Sequence, residues 1–287
     1  MPEDEDKYPV ESDRRRFVKG VVGSAALAGV GTTGAVAVNS ATEQSGAGGG
    51  ATTAMAIENT DGPAPRGMPQ IPIEIEDGEI KGVWPEVTEI EQQGQTVTIT
   101  QTKNYKGTDV TYSSRWFQYC GVQSYSGLKP EADQENFFRY SSSPPPTYGW
   151  QTEEVSGGDR VQVSDFEGYE NWENSIGSGG LGKPAAVTWR SQDVDNANTI
   201  PVTLIRSKRI EEKAQENDWL AASTDKGFMA YLNKCTHFCC VPGWKTSEQA
   251  SQFNAEDDVY CPCHQSVYDP FEIVETTFTA LPVPAED

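Results

Sequence analysis

Two short segments near the C-terminal end of the chain hold both of its histidines and five of its six cysteines. The first segment reads CTHFCC at 235–240, and the second reads CPCHQSVY at 261–268. Each one offers a thiol and an imidazole from a single tight loop, Cys235 with His237 and Cys261 with His264. Thiols and imidazoles concentrated in this way predict a metal site, which requires a fold that brings the two loops together.

Two kinds of metal centre fit a ligand set of two cysteines and two histidines. One is a structural zinc ion, and the other is a 2Fe–2S cluster in which two cysteines hold one iron and two histidines the other. Zinc fingers usually place two cysteines in one pair and two histidines in the next. Here each loop carries one cysteine and one histidine, which favours two irons side by side. Cys240 and Cys263 are left over, one in each loop, and could form a disulfide that ties the loops together.

The combined pattern C-T-H-x-x-C…C-P-C-H-x-S-x-Y resembles the Rieske iron–sulfur proteins of cytochrome bc complexes. The resemblance implies one 2Fe–2S cluster, with Cys235 and Cys261 on the buried iron and His237 and His264 on the outer one. Such centres have higher reduction potentials than clusters held by cysteines alone.

The resemblance also assigns roles to the remaining residues of the two loops. It implies a disulfide between Cys240 and Cys263, and it matches Ser266 and Tyr268 to hydroxyl groups that hydrogen-bond a bridging sulfide and a ligand sulfur. Two positions depart from the family pattern, because Cys239 and Gln265 stand where the family usually has glycine.

For function, the resemblance implies a high-potential electron-transfer subunit within a quinol-oxidising complex. His264 is the expected contact of a membrane quinol and the acceptor of its proton and electron, with His237 as the weaker candidate. The expected partners are a cytochrome b subunit and a c-type cytochrome or copper protein that takes the electron onward.

The expected fold class is mainly β, with a Rieske fold of small stacked antiparallel sheets and an N-terminal signal-anchor helix. The β pattern is strongest after residue 158, as in Ile200–Arg206 and in Gly227–Leu232, which leads straight into Cys235. We therefore assign residues 158–287 to the Rieske domain and residues 70–157 to an uncharacterised β-rich elaboration.

The N-terminal region resembles a twin-arginine export signal. Arg14 and Arg15 precede a run without charge at 20–38, so we assign 1–19 to the cytoplasmic signal region and 20–38 to a transmembrane anchor. Basic residues before such a run stay inside, which places the Rieske domain on the extracytoplasmic side of the cell membrane. Cleavage at Ala37–Asn39, or in the segment up to Ala56, is the alternative. Residues 39–69 are rich in Ala, Gly, Ser, Thr and Pro and predict a flexible linker.

The sixth cysteine, Cys120, stands far from the two loops in sequence. It is either a buried core thiol or the partner of Cys239 in a second disulfide. The second choice balances all six cysteines of a protein exported to an oxidising compartment.

The chain carries 43 acidic and 22 basic residues, for a net charge of −21. This balance argues against nucleic acid as a partner, because phosphate binding needs a basic surface. The acidic residues are spread along the sequence, which favours a hydrated surface over an acidic docking patch. Such a composition is expected of a protein from a halophile, where salt screens the self-repulsion.

Two other functions remain open at this stage. The protein could serve a different outward-facing respiratory enzyme of the nitrate reductase or arsenite oxidase type, or it could be a zinc-stabilised binding module. A Rieske oxygenase is disfavoured, because the chain has no further histidine for a mononuclear iron site.

Overall fold

Antiparallel β-strands dominate the computed structural model, which describes residues 50–92, 95–114, 125–129, 132–142, 148–195 and 198–280. The strands are β1 (Gly50–Asp61), β2 (Met68–Ile71), β3 (Ile73–Glu76), β4 (Glu79–Gly82), β5 (Val87–Gln92), β6 (Gln95–Thr102), β7 (Tyr112–Ser113), β8 (Arg139–Tyr140), β9 (Lys183–Trp189), β10 (Ile200–Arg206), β11 (Phe228–Leu232), β12 (Gly243–Trp244), β13 (Val259–Cys261) and β14 (Ser266–Ala280). The α-helices are α1 (Gly149–Glu154), α2 (Lys208–Lys213) and α3 (Asp218–Ser223), and 3-10 turns lie at Tyr105–Gly107, Ser126–Leu128, Val163–Phe166, Tyr169–Asn171 and Glu248–Phe253. The predicted mainly β class is confirmed.

In the described part of the chain, nine strands form one sheet in the order β12-β13-β14-β1-β2-β11-β10-β9-β8. Two smaller sheets stand beside it, β3-β4 and β5-β6-β7. The strand patterns predicted at Ile200–Arg206 and before Cys235 correspond to β10 and β11, which pair with each other. The centre of the large sheet therefore delivers the chain into the first cysteine loop.

Strand β1 contradicts the flexible linker in the part of residues 39–69 that the structure describes, residues 50–69. It pairs antiparallel with β14 from Gly50↔Ala280 to Asp61↔Val267, and it also pairs with β2. Its Ala54 and Ala56 side chains are buried. Small alanines fit this strand closely against its neighbours, whereas in the sequence the same alanines give the composition of a linker. A cleavage site as late as Ala56 would cut this strand in the middle.

The predicted boundary at residue 158 does not separate two sheets. Strand β2 bridges the two halves of the large sheet, because it pairs with β1 on one side and with β11 on the other. Strand β8 extends the same sheet beyond β9. Residues before 158 thus complete the sheet that carries the cysteine loops, and only β3–β7 form sheets of their own.

A large aromatic core fills the space against the main sheet. Trp189, Trp244, Tyr231 and Phe228 are fully buried, and Phe166 packs edge-on against Phe228 with ring centroids 5.0 Å apart. Burying a side chain of this size contributes about 1.5–3 kcal/mol. The core thus gives the loops at the end of the sheet a rigid base.

The predicted twin-arginine motif and the anchor at 20–38 lie outside the described residues. Within the part of the chain that the structure describes, no helix is both long enough and apolar enough to cross a membrane.

Candidate metal centre

The two cysteine-containing loops meet at one end of the main sheet. The first loop, Cys235–Cys240, follows β11, and the second loop, Cys261–Gln265, connects β13 to β14 as a hairpin. The strand pair Cys261↔Ser266 closes that hairpin. The fold therefore brings together the two segments that the sequence singles out.

Both loops adopt the same backbone turn. The N–H of Cys239 donates to the carbonyl of Cys235 at 3.0 Å, and the N–H of Gln265 donates to the carbonyl of Cys261 at 2.9 Å. Cys239 and Gln265 then take left-handed conformations, with φ of 66° and 57°. This backbone favours glycine, which explains the glycines of the Rieske family at these two positions. Here non-glycine residues adopt it, at a cost of about 1–2 kcal/mol each.

The two predicted cysteine ligands are buried thiols in contact with each other, and neither is part of a disulfide. Cys235 is 1% exposed and Cys261 is 0% exposed. The Cys261 thiol donates a hydrogen bond to the Cys235 sulfur, which lowers the pKa of Cys235 and raises the pKa of Cys261. The pair thus holds one proton between two sulfurs. A bound metal would replace that proton, because thiols bind metals as thiolates.

Two buried hydroxyl groups of β14 point towards the same sulfur. The Tyr268 hydroxyl donates to Cys235 Sγ at 3.1 Å, and burial together with this bond raises the pKa of Tyr268. Ser266 is also fully buried, and hydrogen bonding from its side chain is among the causes that lower the pKa of Cys235. A strand that follows the second loop therefore supplies the hydrogen bonds to the cysteine of the first.

The two imidazoles lie side by side, but they differ in exposure. Their ring centroids are 4.7 Å apart with planes at 84°. His264 is exposed, whereas His237 is half-buried, and its Nδ1 is enclosed without a hydrogen-bond partner. The Phe238 ring is 65% exposed and stands edge-on to His237 at 4.3 Å. An enclosed imidazole nitrogen without a partner is costly unless it binds something, so Nδ1 of His237 suits a metal.

Cys240 and Cys263 are joined in a disulfide that links the two loops across 23 residues of sequence. Of the second pair that we predicted, Cys239 and Cys120, the latter lies outside the described residues. Among the described side chains, one group that could hold an ion has its ligand atoms within 4.8 Å of one another: Cys240, Cys261 and Cys263. Two of those sulfurs are bonded to each other and are not thiolates, so we do not assign this group to a metal.

The ligand atoms of the four predicted ligands are not grouped as closely as those of Cys240, Cys261 and Cys263. No three of Cys235, His237, Cys261 and His264 form a group with all ligand atoms within 4.8 Å. A single tetrahedral zinc ion needs its ligands within about 4 Å of one another, given bond lengths of 2.0–2.3 Å. As they stand, the four side chains therefore do not form a compact tetrahedral site.

A third segment, residues 62–67 between β1 and β2, packs on both loops. A Cβ at Gly62 would collide with the backbone of Gln265 and Ser266, so this position needs glycine. The Thr236 hydroxyl donates to the carbonyl of Arg66 at 2.5 Å. Sequence reasoning missed this segment by including it in the linker. Two prolines within four residues, in Gly62-Pro63-Ala64-Pro65, were the available signal, since proline stiffens a chain.

The insertion between the loops is fixed by one buried lysine. The Lys245 side chain is 2% exposed, and its ammonium group donates to Asp257 at 2.7 Å, Ser178 at 2.8 Å and Ile176 at 3.1 Å. These contacts use all three donors of the group. They hold the insertion between the two loops, residues 241–260, against residues 176–178.

The three segments of the site carry a single charged side chain, Arg66, although the protein has a net charge of −21. Apart from Arg66, residues 62–67, 235–244 and 259–268 contain no Asp, Glu, Lys or Arg. No family model matches this chain, and comparison with the curated proteins and with the solved structures finds no significant match.

Proposed function

We propose that this protein is an electron-transfer subunit with a Rieske-type 2Fe–2S cluster. In this proposal it oxidises membrane quinol and passes the electron to a c-type cytochrome or copper protein, within a cytochrome bc-type complex. One observation carries the proposal: two buried thiols, two adjacent imidazoles and the Tyr268 hydroxyl on Cys235 Sγ meet in one place.

The donor set fits this cluster better than it fits a single zinc ion. Cys235 and Cys261 share a proton that iron would replace, and the enclosed Nδ1 of His237 lacks a partner. When bound, such a cluster takes up and releases one electron, at about −150 to +300 mV against about −400 mV for plant-type centres. Each loop supplies one thiol and one imidazole, which suits two metals side by side rather than one.

The hydroxyl groups of β14 favour the upper part of that range of potentials. Tyr268 hydrogen-bonds the Cys235 sulfur, and the Ser266 side chain also contributes to the lowered pKa of Cys235. Such bonds withdraw electron density from the sulfur and stabilise the reduced form, in which the centre carries one more negative charge. A high potential is what the oxidation of a quinol requires.

The surface of the site suits an uncharged, apolar reductant. The exposed residues include Phe238, Pro63 and Pro262, and Arg66 is the single charged residue of the three segments. His264 is the more exposed imidazole, so it would accept the hydrogen bond and then the proton of a quinol hydroxyl. His237 is shielded by Phe238 and is the weaker candidate. A cytochrome b subunit would take the second electron.

The fold also suits export in the folded state. Strands β1 and β14 are the first and last strands of the described chain, and they pair along their length. The sheet can therefore close only after the whole chain has been made. A twin-arginine signal serves proteins that fold and acquire a cofactor before export, and an uncleaved anchor at 20–38 would hold this one on the membrane.

A redox titration of the full chain tests the proposal. We expect protein purified in detergent and high salt to give a Rieske-type electron paramagnetic resonance signal on reduction, with a potential above roughly +100 mV. The signal should be absent from the Cys235→Ser chain. A potential near −100 mV would leave the cluster but contradict quinol oxidation, and co-purification with a molybdenum enzyme would favour the alternative respiratory role. A colourless protein with one zinc per chain would contradict the whole proposal.

A further inference from the structure

The segment at 62–67 makes one specific hydrogen bond into the site. The backbone N–H of Ala64 donates to Ser266 Oγ at 3.2 Å. Both residues are buried, Ala64 to 7% exposure and Ser266 to 0%. This contact joins residues 202 positions apart in the sequence, so it exists only in the folded protein.

The prolines beside Ala64 make this donor unique within its run. Pro63 and Pro65 have no backbone N–H, so Ala64 carries the one donor of the Pro-Ala-Pro sequence. Proline also fixes φ on both sides, which limits how the peptide can turn. The glycine at 62, which accepts no Cβ, lets the run lie directly on the second loop. The local sequence thus holds one N–H in a fixed position over Ser266.

The contact restricts what the Ser266 hydroxyl can do. A hydroxyl has one proton to donate and two lone pairs that accept. Because Ser266 Oγ accepts from Ala64, the oxygen is held in place and its own proton stays available for another acceptor. The geometry favours the Cys235 sulfur as that acceptor, because Ser266 lies on the same face of β14 as Tyr268, whose hydroxyl donates to this sulfur. Hydrogen bonding from Ser266 is also among the causes that lower the pKa of Cys235.

We propose that the Ala64 N–H is a positioning group: it orients the Ser266 hydroxyl towards the sulfur of the metal centre and thereby raises the reduction potential. This inference rests on the proposed function, because the potential belongs to the cluster. Ala64 acts only through Ser266. Its effect must therefore disappear when the serine hydroxyl is removed.

A double-mutant cycle on the full chain tests this dependence. Ala64→Pro removes the N–H, whereas Ala64→Gly keeps it and serves as the matched control. We expect Ala64→Pro to lower the midpoint potential in the wild-type background and to leave it unchanged in the Ser266→Ala background. Ala64→Gly should match the wild type in both. An equal shift from Ala64→Pro in the two backgrounds, or no shift in either, would overturn the proposal.

A second measurement does not depend on the cluster or on the folding of the proline variant. Hydrogen exchange of the Ala64 amide in the full chain should be roughly tenfold faster in Ser266→Ala than in the wild type, because its acceptor is gone. The matched control Ser251→Ala, in the exposed 3-10 turn, should leave that rate unchanged. An unchanged rate in Ser266→Ala would overturn the positioning role even if the centre has Rieske properties. Conversely, faster exchange in a protein without iron would support the contact and contradict only the proposed function.

Discussion

The first and second loops have the same backbone turn but different surroundings. In each, the N–H of the fifth residue donates to the carbonyl of the first, and that fifth residue is left-handed. The first loop is held from outside by the carbonyl of Arg66 and by the Tyr268 hydroxyl. In the second loop all residues after Cys261 are exposed, and the loop is held mainly by its own hairpin. We infer that the two loops have different roles. The first loop receives the contacts that tune the reduction potential of the centre, and the second loop exposes the centre to partners.

The largest effect should come from removing a cysteine ligand, and it should be equal in the two loops. We expect Cys235→Ser and Cys261→Ser each to abolish the bound cluster, because either change leaves one iron with a single cysteine ligand. Iron and acid-labile sulfide per chain, together with the visible spectrum, measure the loss. Ser251→Ala, in the insertion, is the control and should retain both. Retention of iron in either cysteine variant would contradict the assigned ligand set.

The disulfide between Cys240 and Cys263 is the covalent link that the two loops share. Replacing both cysteines with serine should lower the free energy of unfolding by about 3 kcal/mol, because the bond restricts the unfolded chain across 23 residues. Chemical denaturation of the double variant measures this change. A loss below about 1 kcal/mol would mean that the loops are held together without the bond.

A smaller effect on the midpoint potential should come from removing one hydrogen bond to the first loop. Tyr268→Phe removes the bond to Cys235 and should lower the midpoint potential by about 60 mV for each 1.4 kcal/mol by which that bond favours the reduced form. Tyr260→Phe is the matched control on the neighbouring strand β13, where its ring stacks on Phe253. Equal shifts in the two variants would contradict a specific role for Tyr268.

The left-handed residues offer a test of the shared turn. Gln265→Gly should raise the free energy of unfolding by up to about 1 kcal/mol, because glycine adopts φ near 57° without strain. Gln249→Gly, in the 3-10 turn of the insertion, is the control and should destabilise or be neutral. The denaturation midpoints of the two variants measure these changes in stability. A loss of stability in Gln265→Gly would mean that the side chain makes contacts worth more than the strain.

The smallest predicted effect concerns Asp258, just before the second loop. Burial and the neighbouring acids, Asp269 first, raise the pKa of Asp258 to about 6. The folded state therefore binds more protons than the unfolded state between about pH 4 and 6, so this group costs stability as the pH rises through that window. Asp258→Asn should stabilise the protein above pH 6, by less than about 1 kcal/mol, and give no gain below pH 4. A gain that does not depend on pH would contradict this origin.

The two loops could be predicted from the sequence because their chemistry is local. Each ligand pair lies within four residues, and the two histidines occur nowhere else. The third segment and β1 could not be predicted, because their partners lie about 200 residues away at Ser266 and along β14. The alanine and threonine residues at 51–56 have the composition of a linker, and the sequence does not show the distant strand with which they pair. The large sheet was likewise divided at residue 158, since pairing of β2 with β11 leaves no local pattern.

Metal analysis of the full chain, purified from cells grown with iron and zinc, tests the central claim most directly. The account predicts two irons and two acid-labile sulfides per chain, little zinc, and a reduced paramagnetic signal typical of one thiolate-bound and one histidine-bound iron. One zinc per chain without iron or sulfide would contradict it.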